Sequence, residues 1–202
     1  TAKALEYAHG QHVIHRDIKP DNIMLTSDEV VKLADLGISK TAEDLAKQDG
    51  RSIVGTPHYI APEVAKGQAA DYRLDIYSLG ATCYHLLSGR TPYQGASATE
   101  ILKAHVIDEA QPLHEFIPTM PRQISDLVKR MMAKDPDQRP QSATEIVGQI
   151  EVIQNTLGLN RQQTNGETLM LRRLADGEPR SSGTLSSIND PSVVTSGSLT
   201  EI

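Results

Sequence analysis

His15-Arg16-Asp17-Ile18-Lys19-Pro20-Asp21-Asn22 concentrates acids, cations and an amide within eight residues of a 202-residue chain. On a protein surface such a run is ordinarily a solvated face. Its flanks point elsewhere. Ile23-Met24-Leu25 and Val30-Val31-Lys32-Leu33 are short β-like runs. Thr26-Ser27-Asp28-Glu29 between them reads as a turn, so the pair forms a hairpin. A hairpin returns the chain to its start, which makes Asn22 at its entrance and Asp35 at its exit neighbours. On the other side, Val13-Ile14 is a short strand. Thr1 to His9 reads as the last turns of a helix stopped by Gly10. With no clear N-cap and no initiator Met, the start reads as a chain cut inside a helix, hence a fragment.

Further along, residues 36–58 show little periodicity and are punctuated by Gly37, Gly50, Gly55 and Pro57. A loop this long inside a domain is usually functional or mobile. Arg73 to Ser88 is helical and nearly apolar all round, with Leu74, Ile76, Leu79, Ala81, Cys83, Leu86 and Leu87, and Gly89 closes it. Such a helix is buried and forms the spine of a domain. Ser97-Ala98-Thr99-Glu100 and Ser142-Ala143-Thr144-Glu145 are capping boxes. The first opens a helix to about His105, and the second aligns Ile146, Ile150, Ile153 and Leu157 on one face. Each Ser cap contributes roughly 0.5–2 kcal/mol. Between them, Pro121 suits a first helical position, followed by Ile124, Leu127, Val128 and Met131 at helical spacing. The fold class is therefore mostly α with a small β-hairpin. Residues 1–157 form the domain. Residues 158–202 form a Ser/Thr-rich, disordered tail, with too little apolar surface to order itself and a weak helical pattern at Leu169–Leu174.

Hydrophobic residues make up 38% of the chain and aromatics 3%, so the core is built from Leu, Ile, Val, Ala and Met. A net charge of −6 argues against nucleic acid or anionic membrane as a partner. The lone Cys83 sits in an apolar helical pattern, reads as a packed thiol and fits a reducing compartment. No apolar run approaches the roughly 18 residues of a membrane span, and the N-terminus has no signal-peptide plan. The expected location is cytoplasmic.

The opening stretch resembles the protein-kinase catalytic loop, His-Arg-Asp-x-Lys-Pro-x-Asn, without departure. The resemblance implies that Asp17 orients the substrate hydroxyl and accepts its proton. It also implies that Lys19 neutralises the γ-phosphate and that Asn22 holds Mg2+ (or Mn2+) through its side-chain oxygen. Phosphoryl transfer is mostly positioning and charge neutralisation, which suits these residue types. Asp35-Leu36-Gly37 stands where the family has Asp-Phe-Gly. The middle residue packs and does not coordinate, and Asp35 would be the main metal ligand, since a hard cation favours carboxylate oxygen. Gly55-Thr56-Pro57-His58-Tyr59-Ile60-Ala61-Pro62-Glu63 resembles the end of the activation segment. By that likeness Thr56 bridges toward Asp17 and Lys19 in the substrate loop. Glu63 would pair with Arg139 of Asp135-Pro136-Asp137-Gln138-Arg139-Pro140, and such a buried pair costs roughly 3–5 kcal/mol to break. Asp75, in Asp75-Ile76-Tyr77-Ser78-Leu79-Gly80, would accept hydrogen bonds from the catalytic-loop backbone, with Tyr77 where the family usually has Trp. His15 would pack beneath the loop. Arg16 would meet a phosphate on the activation loop, with Ser52 the best phosphosite candidate and Thr41 and Ser39 weaker ones.

Lys19 in place of the Ala-rich tyrosine-kinase pattern implies Ser/Thr specificity. Antibiotic and choline phosphotransferases share an Asp…Asn pair but lack the Ala-Pro-Glu and Arg139 elements. The Gln94-Gly95 turn, short helical insertions and Ser/Thr-rich tail are similar to bacterial members. The likeness runs from residue 1 to about 157 and covers the kinase C-terminal lobe. No Gly-x-Gly-x-x-Gly loop occurs, and fourteen residues precede His15. The ATP-gripping lobe is accordingly expected to be missing and the edge facing it to expose apolar surface. Two readings follow. One is a fragment of a Ser/Thr kinase that uses ATP and Mg2+ on a protein substrate and is inactive by itself. The other is a truncated, non-catalytic kinase-like binding or regulatory module. The retained Asp17, Lys19, Asn22 and Asp35 favour the first.

Overall fold

The computed structural model describes residues 1–27, 30–34, 40–41 and 56–159, with only the backbone of Lys40 and Thr41. Contacts divide the chain into Thr1–Leu159 and Asn160–Ile202. The second part, with the tail and its weak helical stretch, lies outside the described residues.

The domain is mostly helical. Helix α1 (Ala2–Gly10) runs through Gly10 instead of stopping at it. The chain turns two residues later, where His12 adopts a left-handed conformation at φ 58° and leads into β1 (Val13–Ile14). A 3-10 turn at Pro20–Asn22 then feeds the hairpin of β2 (Ile23–Leu25) and β3 (Val31–Leu33). The hairpin is antiparallel, with Ile23 opposite Leu33 and Leu25 opposite Val31. Thr26 closes it by exchanging hydrogen bonds with Val30, its N–H donating to the Val30 carbonyl at 3.0 Å and its Oγ1 accepting from the Val30 N–H at 3.1 Å. Met24, Leu25, Val30 and Val31 on this hairpin are exposed. Strand β4 (Lys40–Thr41) pairs antiparallel with β1, Thr41 opposite Val13. It falls within the stretch expected to be loop, and two residues are too few to show a period of two.

Helix α2 (Pro62–Ala65) precedes α3 (Arg73–Ser88), the central helix. One side of α3 packs Leu74, Tyr77, Ala81 and Tyr84 against Tyr59, Tyr93, Leu113 and Val128. Its other side packs Ile76 and Leu79 against Leu5, Ile18, Leu127, Met131 and Ile146. Burying each large aliphatic side chain is worth about 1.5–3 kcal/mol. The burial stops before the C-terminus: Leu86 is 58% and Leu87 43% exposed, so the last turn is not part of the spine. Cys83 is part-buried, and burial pushes its thiol up to about 11, which keeps it protonated and unreactive.

Helices α4 (Ala98–Ile107), α5 (Leu113–Phe116), α6 (Arg122–Met131) and α7 (Ala143–Thr156) complete the domain. Pro121 stands at the N-cap of α6, one residue before the expected position. Both capping boxes form, each displaced by one residue at its second bond. Ser97 Oγ accepts from the Glu100 N–H, while Glu100 reaches back to the N–H of Ala96 at 2.9 Å. Ser142 and Glu145 repeat this, with Glu145 accepting from the Gln141 N–H at 2.7 Å. On α7 Ile146 is buried and Ile153 packs beside it, but Ile150 is exposed. At 3.6 residues per turn, seven positions return to within about 20° of the starting face, and four miss it by about 40°.

Candidate active site

The loop from His15 to Asn22 is held from beneath by Asp75 on α3. One carboxylate oxygen, Oδ2, accepts from the His15 N–H at 2.8 Å, and Oδ1 accepts from the Arg16 N–H at 2.8 Å. Asp75 is fully buried, so it needs such partners. They hold a strained backbone: Arg16 has φ 72°, which costs a non-glycine residue roughly 1–2 kcal/mol. His9 at the end of α1 adds a third bond, its Nε2–H donating to Asp75 Oδ2 at 2.9 Å. The His15 ring is buried and accepts the Asp17 N–H at Nδ1, 3.3 Å. The proton therefore sits on Nε2, which donates to the Ala34 carbonyl at 3.1 Å. His15 thus ties the loop to the exit of the hairpin.

Above this support lie four of the residues singled out from the sequence. Lys19 Nζ donates to Asp17 Oδ2 at 2.6 Å and to Thr56 Oγ1 at 3.3 Å. Thr56 Oγ1 donates to Asp17 Oδ1 at 3.2 Å. Asn22 Nδ2 donates to the Asp17 carbonyl at 2.7 Å and to its Oδ2 at 3.2 Å. Asp17, Lys19, Asn22 and Thr56 therefore form one cluster, with Asp17 and Asn22 buried. The Asn22 amide nitrogen is spent on the loop, which leaves its side-chain carbonyl oxygen as the atom type suited to a hard cation. Asp35, Leu36, Gly37, Ser39, Ser52 and Gly55 lie outside the described residues, and Thr41 is placed by its backbone alone.

Glu63 and Arg139 meet apart from this cluster. Arg139 Nη1 donates to Glu63 Oε1 at 2.8 Å and Nη2 to Oε2 at 2.7 Å. The remaining guanidinium protons go to the carbonyls of Ala133, Arg73 and Lys134. Its Cζ also lies 4.9 Å from the centroid of the Tyr77 ring.

Three side chains that brace these segments escaped the reading of the sequence. His9 gives no signal in its own neighbourhood. Ser78 and Thr82 do: with Asp75 they are polar positions in an apolar helix, spaced so as to share one face. Ser78 Oγ donates to the Tyr59 carbonyl at 2.8 Å and Thr82 Oγ1 to the Ile18 carbonyl at 3.2 Å. Tyr77, where the family usually has Trp, places its hydroxyl 2.8 Å from His105 Nδ1. Burial, then the Lys134 ammonium, pulls His105 down to about 3. Burial likewise lowers Lys134 to about 8, its Nζ donating to the Tyr93 hydroxyl and the His105 carbonyl at 2.8 Å each.

The central helix thus holds an Asp-Lys-Asn loop against a threonine. The model of the protein kinase domain matches residues 1–150, and the chain belongs to the protein kinase family. A probable serine/threonine-protein kinase of Clostridium perfringens is 41% identical over 152 residues, 75% of this chain and 22% of the relative. One from Bifidobacterium longum is 40% identical over 144 residues, 70% of this chain and 21% of its own. The serine/threonine-protein kinase PrkC of Bacillus subtilis is 32% identical over 160 residues, 79% of this chain and 25% of its own. The chain thus spans about a fifth to a quarter of the curated relatives it matches. Among the described residues, no helix is long and apolar enough to cross a membrane.

Proposed function

We propose that the protein is a Ser/Thr protein kinase that transfers the γ-phosphate of ATP to a Ser or Thr hydroxyl of a protein substrate. One observation carries the reading: Lys19 Nζ bridges Asp17 Oδ2 and Thr56 Oγ1, so an acid, a cation and a hydroxyl converge on one spot. In this reading Asp17 orients the substrate hydroxyl and receives its proton on a carboxylate oxygen. Lys19 faces the transferred phosphate and offsets its charge. Thr56 holds the substrate loop against both. Asn22, through its side-chain oxygen, and Asp35 would hold Mg2+ (or Mn2+), which supplies charge neutralisation on the nucleotide phosphates. Arg16 would dock a phosphate on the activation loop, at Ser52 or Thr41. His15, Asp75 and the Glu63–Arg139 pair are structural supports.

The domain of this reading ends near residue 157. ATP as donor implies a cytoplasmic site of action. The 202 residues contain no Gly-x-Gly-x-x-Gly stretch, so transfer is proposed to need further residues to grip the nucleotide.

The test is transfer of label from γ-labelled ATP to a Ser/Thr-containing protein by the full-length protein. Asp17→Asn is expected to lower the rate by about 10²–10⁴-fold with the melting temperature held. An Asp17→Asn protein as active as the wild type would sink the assignment. Absence of transfer by the wild type to any protein offered would favour a non-catalytic module instead.

A further inference from the structure

We propose that Thr82 is a positioning residue for phosphoryl transfer, acting with Ser78 one turn before it; the proposal rests on the kinase reading above. Asp75, Ser78 and Thr82 stand at i, i+3 and i+7 of α3, which puts them on one helix face. All three are buried, at 0, 4 and 0% exposure.

A Ser or Thr inside a helix commonly bonds the carbonyl four residues back. Ser88, at the end of α3, does this, donating to the Tyr84 carbonyl at 2.7 Å. Ser78 and Thr82 instead reach off the helix to other segments. Thr82 holds the carbonyl of Ile18, the residue between Asp17 and Lys19. Ser78 holds the carbonyl of Tyr59, three residues after Thr56. The Ile18 side chain is itself buried in the core. Side chain and carbonyl together therefore fix the peptide that connects the proposed base to the proposed phosphate-facing lysine.

One rigid face thus grips both segments that meet at Asp17 and Thr56. The contacts it sets are not tight, at 3.2 Å for Thr56 to Asp17 and 3.3 Å for Lys19 to Thr56. A small shift of either segment would part them. Removing the Thr82 hydroxyl leaves the buried Ile18 carbonyl without this donor. The loop must then move to find another partner or bear the desolvation cost. Thr82 donates to none of the groups proposed to hold metal or phosphate, so its loss should act on the chemical step and not on nucleotide binding.

The experiment compares Thr82→Val, which keeps the shape and loses the hydroxyl, with Thr82→Ser, which keeps the hydroxyl, in the full-length protein. Thr82→Val is expected to lower kcat roughly ten- to a hundredfold, since small misplacements of reacting groups act strongly on rate. KM for ATP is expected to stay within about twofold, and Thr82→Ser to keep most of the wild-type kcat. If the Val variant does not fold, Thr82→Ala against Thr82→Ser replaces it. Both lack the same methyl and differ by one hydroxyl, and the same ratio of kcat is expected.

Wild-type kcat in Thr82→Val, or equal kcat in the Ala and Ser variants, would overturn the proposal. So would a loss in which KM for ATP moves with kcat. In each of these cases the kinase reading stands, because wild-type transfer and its loss in Asp17→Asn are measured alongside. A wild type without transfer sinks the kinase reading and this proposal with it.

Discussion

Arg139 spends every donor it has. Its five N–H groups go to both Glu63 oxygens and to three backbone carbonyls, and the pair is nearly sealed from solvent, at 3% exposure for Arg139 and 6% for Glu63. Burying two charges costs several kcal/mol, and only such complete pairing offsets it. Arg139→Ala would leave Glu63 buried and unpaired. The expected loss is about 3–5 kcal/mol in urea denaturation. Arg139→Lys is expected to recover little, because an ammonium lacks the planar fork that serves both carboxylate oxygens. An unchanged midpoint in Arg139→Ala would contradict this account. The two partners stand in motifs that the sequence displays, and their pairing follows there from family likeness. His9 has no such motif. Its bond to Asp75 spans 66 positions and depends on where α1 ends, which the left-handed turn at His12 sets.

Helices α3 and α6 approach closely at Gly80. A Cβ there would lie 2.8 Å from the Cβ of Met131, an atom tied to the α6 backbone. Gly80→Ala is therefore expected to destabilise by about 1–3 kcal/mol through overpacking, although alanine is the better helix former. Gly148 in α7 supplies the opposite case, since a Cβ there would meet nothing within 4 Å. Gly148→Ala is expected to stabilise by up to about 1 kcal/mol. Thermal melts of the two variants test the pair, and shifts of the same sign would refute it. Long helices were legible because the apolar period repeats and Ser caps mark their starts. The four-residue helices α2 and α5 and the two-residue strand β4 are too short to carry a period. Each forms because its neighbours are already in place.

Acid should weaken the domain through His105. Its folded value of about 3 lies below the ordinary 6.5, because burial and then the Lys134 ammonium disfavour the charged ring. Between those two values the unfolded chain binds a proton that the folded chain does not. The contribution of this group is therefore fully present above pH 6.5 and falls progressively as the pH drops toward about 3. The loss is on the order of a few kcal/mol, at about 1.4 kcal/mol per pH interval. His105→Gln is expected to flatten the slope of urea midpoint against pH in this window, and an unaltered slope would exclude His105 as its source. Lys134, lowered to about 8 from 10.5, acts at the other end. The unfolded chain holds the extra proton between those values, so this group adds stability as pH rises from 8 to 10.5.

Caps, turns, the hairpin and the apolar spine are written in stretches of a few residues, because each depends on neighbours in the chain. The residue types of the site are legible in the same way: Asp17, Lys19 and Asn22 share one short stretch, and Thr56 stands in another. Their arrangement is not local. The bonds from Asp75, Ser78 and Thr82 to the loop and to Tyr59 span 19 to 64 positions. The left-handed backbone at Arg16 persists because a carboxylate from α3, far along the chain, holds it. A sequence states which groups can donate. Which buried carbonyl receives each proton is decided by where α3 lies, and that follows from packing around Gly80 and the two cores on its flanks.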